Sequence, residues 1–512
     1  MPHFYPSDRL SSEDAVFLYL ETKEMPLHIG SVSVFDGLIP FEPCVDFIES
    51  RLPLIPRYRQ RIVMPPFNVG HPTWEYDPAF DIRNHVHYVR LEQGAQADLE
   101  SFAGQIFAEM MDRTRPLWDM TVVDGLEGGR SALISRVHHC LVDGVSGVGL
   151  LNVMLDPTLP SPKKSKKKPF HAPPLPGPAT SMVDALATSY SEMVERILSA
   201  QTAALNIAEA LVSDQALRGF DQLVRLIPEL LTPVERLPFN QPCLGPRKVA
   251  WTEISIPEVS AVREACGGTL NDVVLTVVSS AVRRYSELHG TAVKGCLLRL
   301  MVPVNLRRAE NHSGLGNRVS MLPVSVPLDI REPLKLLEAI RHRTEALKHS
   351  RVADLIHLFA TWMGTTPVPL QALLGPLATL LPIPPFNMVC TNVPGPQLPL
   401  YVLGQKMLTY YPYVPIGNEM ALGCAIQSYD HKLYLGLTAD AVAAPDVARL
   451  RNFLDDAFAS LKKAAGVVAI KPRTPGSKTK PQDFTEHPEQ VYKGVEAPGS
   501  GGTNGRRSAT YS

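Results

Sequence analysis

The sequence predicts a mixed α/β chain of two domains joined by a connector. Three observations carry this. The chain has 512 residues, more than a single compact core usually accommodates. Stretches of strand character are interspersed with stretches of helical periodicity on both sides of its middle. Residues 156–180 interrupt the pattern, being Pro-rich and carrying Lys163-Lys-Ser-Lys-Lys-Lys168, the composition of a linker. The boundaries read as 1–160 for the first half, 161–249 for the linker and crossover helices, 250–467 for the second half and 468–512 for a tail.

In the first half, Ser11-Ser-Glu-Asp14 has the form of a capping box, and Ala15, Val16, Leu18 and Tyr19 follow it as a helix. His28–Phe35 alternates as a strand. The basic cluster Pro56–Arg61 reads as a solvated face, with a phosphate contact as its alternative. Asp81, His85 and His87 fall in a connector and are assigned no chemistry. Leu99, Phe102, Ala103, Ile106 and Met110 mark one face of a helix. Trp118 is expected in the core, at the start of a hairpin with strands near 119–123 and 131–137 and a turn near Glu127–Gly129.

Ser181–Asp184 resembles another capping box, opening a long helix whose apolar stripe runs from Met182 to Leu211. In the second half, Thr269-Leu-Asn-Asp272 reads as a helix start, with Thr269 as cap and Asp272 facing the positive end of the dipole. Strands are expected over 297–304, 319–328 and 433–438, and helices over 333–349 and 446–463. Beyond about 468, the Pro-, Gly-, Lys- and Ser-rich composition predicts disorder.

Charge and cysteine usage narrow the function. A formal net charge of -1 gives no bulk nucleic-acid character. Seven scattered cysteines, an odd number, fit a reducing compartment, and the N-terminus lacks a signal-peptide pattern. Leu355–Gln405 contains no Asp, Glu, Lys or Arg, but prolines such as Pro367, Pro376 and Pro384 break it as a membrane span. It is expected to be either a buried core segment with loops or the apolar wall of a lipid site or membrane-facing lip.

The chemistry concentrates in Ser131–Gly147, where His138, His139, Asp143 and Gly144 form His-His-x-x-x-Asp-Gly. An imidazole at a strand end, with a carboxylate one turn later, can serve as a general base with an orienter. If the strand runs through both histidines, they face opposite ways. Spacing alone leaves other readings open: a structural His pair, a metal site using His139 and Asp143, or a nucleophilic Cys140. Asn271, in the first turn of a helix, is suited to stabilise an oxyanion as well as to cap.

These segments, with Arg115-Pro-Leu-Trp118, Val302–Arg307, Gly316-Asn317 and Asn392-Val-Pro-Gly-Pro396, resemble the bacterial wax ester synthase/diacylglycerol acyltransferase family over most of residues 8–465. The His-His motif alone is shared with peptide-synthetase condensation domains, whereas the ordered set is specific. The resemblance implies two chloramphenicol acetyltransferase-like mixed-sheet domains with an active-site tunnel between them. It implies transfer of a fatty acyl group from acyl-CoA, as co-substrate and without a resident cofactor or metal, to diacylglycerol or a long-chain alcohol. His139 would be the base, with His138 supporting the loop and Asp143 orienting. Asn271, Asp272, Gly144 and Arg307 are oxyanion or structural candidates, with Arg307 expected to pair with Asp143. The implied setting is cytoplasmic, peripheral to a membrane or lipid-droplet surface. A condensation-type enzyme acting on carrier-bound thioesters and a non-catalytic lipid-binding relative are the alternatives.

Overall fold

The computed structural model describes residues 9–65, 68, 70–141, 153–158, 201, 234–305, 319–349, 368, 370 and 386–467. Residues 159–180 of the expected linker, most of the crossover helix and the tail lie outside them. The first part runs α1 (Ser12–Leu20), β1 (His28–Phe35), α2 (Phe41–Arg51), β2 (Gln60–Val63), β3 (Thr73–Tyr76), β4 (Val86–Arg90), α3 (Gln96–Ala108), β5 (Trp118–Leu126) and β6 (Arg130–His138). It continues with β7 (Arg247–Ser255), α4 (Ile256–Cys266), α5 (Leu270–Leu288), β8 (Leu297–Asn305), β9 (Val319–Pro327) and α6 (Pro333–His349). Last come β10 (Met388–Val393), β11 (Tyr401–Val402), β12 (Gln405–Tyr413), β13 (Leu422–Tyr429), β14 (Lys432–Asp440) and α7 (Val447–Ala464).

Local chemistry explains where several elements start. Ser11 Oγ accepts the Asp14 N–H and opens α1. Thr269 and Asp272 exchange side-chain and backbone hydrogen bonds at the start of α5, a complete capping box. Val273, Val274, Val277, Val278, Ala281, Val282 and Tyr285 then point into a core shared with the second sheet, α6 and α7. No single helix among the described residues is long and apolar enough to cross a membrane. The bent pair α4–α5 meets the length and composition test, but α5 is a core helix.

The strands form two mixed six-stranded sheets and a small β2–β3 ladder. The first has the order β11-β12-β1-β6-β5-β4, and the second β7-β14-β13-β10-β8-β9. Residues 401–413, which the sequence reading groups with the second half, therefore hydrogen-bond into the first sheet. Gly30 of β1 lies opposite Tyr413, and Phe35 opposite Met407. Aromatic packing holds this strand across the second sheet. Tyr411 stacks on Trp251 at 4.8 Å and meets Tyr434 edge-on at 5.5 Å, while the Tyr434 hydroxyl donates to Leu408 O. At Gly436 the strands approach so closely that a Cβ would sit 1.8 Å from Pro412 O, so only glycine fits.

One detail departs from expectation and another adds to it. The basic cluster 56–61 is not simply solvated: Tyr58 is buried, and Arg57 and Arg59 lie over the rings of Trp74 and Phe80. His85 lies in the turn between Ile82–Asn84 and β4, a connector as expected. It is buried between Phe80 and Trp118, with Nδ1 2.8 Å from Trp118 O, and Trp118 itself fills the core as expected.

Candidate active site

Strand β6 delivers the histidine pair to the edge of α1. His138 is its last residue, opposite His28 at the start of β1, and His139 begins a short 3₁₀ turn, His139–Leu141. The strand therefore ends between the two histidines, and strand alternation alone does not set their directions. Their surroundings nevertheless differ sharply.

His138 is sealed, with no exposed surface. Its Nδ1 accepts the Cys140 N–H at 3.1 Å, so in the neutral ring the proton resides on Nε2. That nitrogen faces Glu21 Oε1 at 3.4 Å. Glu21 is itself buried and accepts from Leu27 N at 2.9 Å and from Arg113 Nε and Nη2 at 3.2 and 2.8 Å. Burial pushes its pKa up, but His138, the Leu27 N–H and Arg113 outweigh that and bring it down to about 2. Arg113 also donates to Leu18 O near the end of α1, so the ion pair clamps the helix against the motif.

His139 is half-buried. Its N–H donates to Leu27 O at 2.9 Å, and its ring lies flat on Phe17 of α1, centroids 3.8 Å apart and planes within 7°. Cys140 is no competitor as nucleophile, because burial raises its thiol well above the ordinary value of 9.0. Asp143 and Gly144 lie outside the described residues, as does Arg307, so the expected Asp143–Arg307 pair does too.

A second set of candidates sits at the start of α5. Asp272 is fully engaged: Oδ2 accepts from Thr269 N and Oγ1, and Oδ1 accepts from Thr344 Oγ1 of α6 at 2.7 Å. These bonds cap one helix and dock another, a structural task. Asn271 is partly exposed, and its Oδ1 accepts from Asn392 Nδ2 at 3.4 Å. The fold thus brings Thr269–Asp272 against the Asn392–Pro396 segment, whose Gly395 packs where a Cβ would lie 2.1 Å from Ser428 O. Phe17, Glu21 and Arg113 escaped the sequence reading. Their only signal was an acid directly after an apolar helical run, which does not say what it will pair with.

Next to His138, the ring of His28 is wholly buried, stacked at 5.5 Å on Tyr413. Neither ring nitrogen has a hydrogen-bond partner among the described residues. Burial, and then the charge of Arg136, keep its pKa well below the usual 6.5, so it stays neutral. Among the described residues, no group of three or more His, Cys, Asp or Glu is placed to hold a metal ion.

Two mixed sheets, the first completed by a strand from the second half of the chain, with a His-His turn at the end of a central strand, place the fold among the chloramphenicol acetyltransferase-like acyltransferases and condensation domains. The first condensation domain of the calcium-dependent antibiotic synthetase superimposes over 90% of this chain and 97% of its own, with a TM-score of 0.54 at 15% identity. A wax ester synthase/diacylglycerol acyltransferase from Marinobacter aquaeolei VT8 aligns better, with a TM-score of 0.62 at 25% identity over 90% of this chain and all of that one. In sequence, residues 10–274 match the wax ester synthase/diacylglycerol acyltransferase catalytic domain, and residues 315–462 the C-terminal domain of the same family. Two probable diacylglycerol O-acyltransferases of Mycobacterium tuberculosis H37Rv, tgs1 and tgs2, are 27% and 28% identical over 89% and 90% of the chain, covering 96% and 100% of theirs. The chain belongs to the wax ester synthase/diacylglycerol acyltransferase family, and it is an acyltransferase.

Proposed function

We propose that the protein transfers a fatty acyl group from acyl-CoA to the hydroxyl of diacylglycerol, a long-chain alcohol, or both, with acyl-CoA as co-substrate and no resident cofactor. The observation that carries the reading is the division at the end of β6: one histidine sealed and anchored, its neighbour half-exposed and backed by an aromatic ring. His139 is the general base. It takes the hydroxyl proton as the oxygen attacks the thioester carbonyl, and a tetrahedral intermediate forms. Asn271 turns its carboxamide oxygen to Asn392, which leaves its NH₂ as the group able to meet the oxyanion. Collapse expels the CoA thiolate, and the proton on His139 goes to that sulfur. Holding the alcohol in attack geometry makes a covalent acyl-enzyme unnecessary.

The acceptors are water-insoluble, so the enzyme works at a membrane or lipid-droplet surface in the cytoplasm, bound peripherally. The basic run Lys163–Lys168 and the uncharged stretch 355–405 support this, since one favours anionic headgroups and the other apolar contact. Purified protein incubated with radiolabelled acyl-CoA and either diacylglycerol or hexadecanol tests the reaction. Thin-layer chromatography should resolve labelled triacylglycerol or wax ester. Transfer to neither acceptor would overturn the reading. Flotation with liposomes tests the surface, and no binding at low salt would refute it.

A further inference from the structure

We infer that Phe17 is the positioning residue of the catalytic histidine: its ring fixes the plane of the His139 imidazole and stabilises the imidazolium formed when the acceptor hydroxyl loses its proton. The inference rests on the reading of His139 as general base. Its starting point is the face-to-face stack, 3.8 Å between centroids and 7° from parallel. A ring stacked on one face covers neither edge of the imidazole, so Phe17 restrains tilt without occupying a hydrogen-bonding position.

Phe17 is itself well fixed. It lies in α1, whose start is capped by Ser11, and its carbonyl accepts the N–H of Glu21 at 3.1 Å. Glu21 in turn faces His138 and binds Leu27, whose carbonyl receives the His139 N–H. Helix α1 therefore holds His138 through a carboxylate and the His139 ring through an aromatic face.

The energetic argument is differential. A neutral imidazole gains dispersion from Phe17, whereas an imidazolium also gains attraction to the negative face of the ring. An interaction that strengthens as the proton moves lowers the barrier rather than merely tightening binding. The cation–π range corresponds to about a three- to thirty-fold effect on turnover. The same attraction raises the basicity of His139 in the free enzyme. The other charged or titratable groups around this corner are Asp14 and Glu21 on and after α1, Arg113 beyond α3, and His138 and Cys140 on the histidine segment. Asp143 follows in the motif. Substitution at Phe17 leaves all of these in place.

The experiment compares Phe17→Leu, Phe17→Tyr and a ring-fluorinated phenylalanine at position 17 with wild type and His139→Ala, measuring kcat, KM, the pH profile of kcat/KM and thermal melting. Phe17→Leu should lose about three- to thirty-fold in kcat with KM little changed. Its acid limb should move to lower pH by up to about one unit, because a less basic His139 stays neutral further down. Phe17→Tyr should restore both. The fluorinated ring keeps the shape but withdraws π density, so it should move the limb in the same direction as Leu, which decides the matter even if Phe17→Leu does not fold. If the fluorinated variant matches wild type in kcat and limb, the inference fails while an inactive His139→Ala leaves the base reading intact. If His139→Ala keeps full turnover, the base reading fails and takes the inference with it.

Discussion

The end of β6 and the start of α5 solve the same problem in different ways. Each presents two adjacent polar residues, one sealed and one partly exposed: His138 beside His139, and Asp272 beside Asn271. At α5 the sealed residue is held mainly by its own turn, since Thr269 sits three residues away. At β6 the sealed residue faces Glu21 on a separate element, and Glu21 is held in turn by Arg113 from 92 residues further along. A local anchor costs little chain entropy to form, whereas a long-range anchor exists only once the sheet and α1 have packed. The histidine site is therefore the more dependent on the whole fold.

That contrast can be broken by removing each anchor. Glu21→Ala should be the most damaging, about 3 kcal/mol, because it leaves His138 Nε2–H and the Arg113 guanidinium without their buried partner. Asp272→Ala should cost about 2 kcal/mol, through loss of the capping carboxylate and of the Thr344 contact. Thr269→Ala should cost about 1 kcal/mol, a typical cap. Urea unfolding of the three variants checks the order. If Thr269→Ala cost as much as Glu21→Ala, the distinction between local and long-range anchoring would be lost.

Acid titration sharpens the comparison with a smaller effect. Folded His28 resists protonation while the unfolded chain takes up a proton as pH falls through about 6.5, so stability should begin to drop there. His85 is buried and shifted in the same direction, so it adds to this loss. Glu21, with a folded pKa of about 2 against an ordinary 4.5, adds a second loss between those values as its carboxylate is protonated. In His28→Leu the first phase should shrink, although His85 keeps it from vanishing. An unchanged first phase would show that His28 is protonated in the folded protein.

The same contrast explains what could be read beforehand. Thr269-Leu-Asn-Asp272 was legible because its signal and its partner are three residues apart. The helix over 333–349 and the hairpin leading to the histidines were legible for the same reason, being periodicities and turns within one stretch. The strand Gln405–Tyr413 was not read, and neither was its place in the first sheet. Its neighbours are decided by Tyr411 against Trp251 and by pairing with β1, contacts that no local window contains. The motif pointed to the histidines, but Phe17 and Glu21 beneath them became visible only in three dimensions.

The central claim is that two adjacent histidines carry separate tasks, one chemical and one structural. Acyl transfer and thermal melting measured side by side on His139→Ala and His138→Ala test it most directly. His139→Ala should lose roughly a hundred- to ten-thousand-fold in turnover with little change in melting temperature. His138→Ala should keep more activity and lose more stability, because the buried Glu21 carboxylate then loses one of its three partners while Leu27 N–H and Arg113 remain. A His138→Ala enzyme that is inactive but thermally intact, beside a His139→Ala enzyme that turns over normally, would contradict the account.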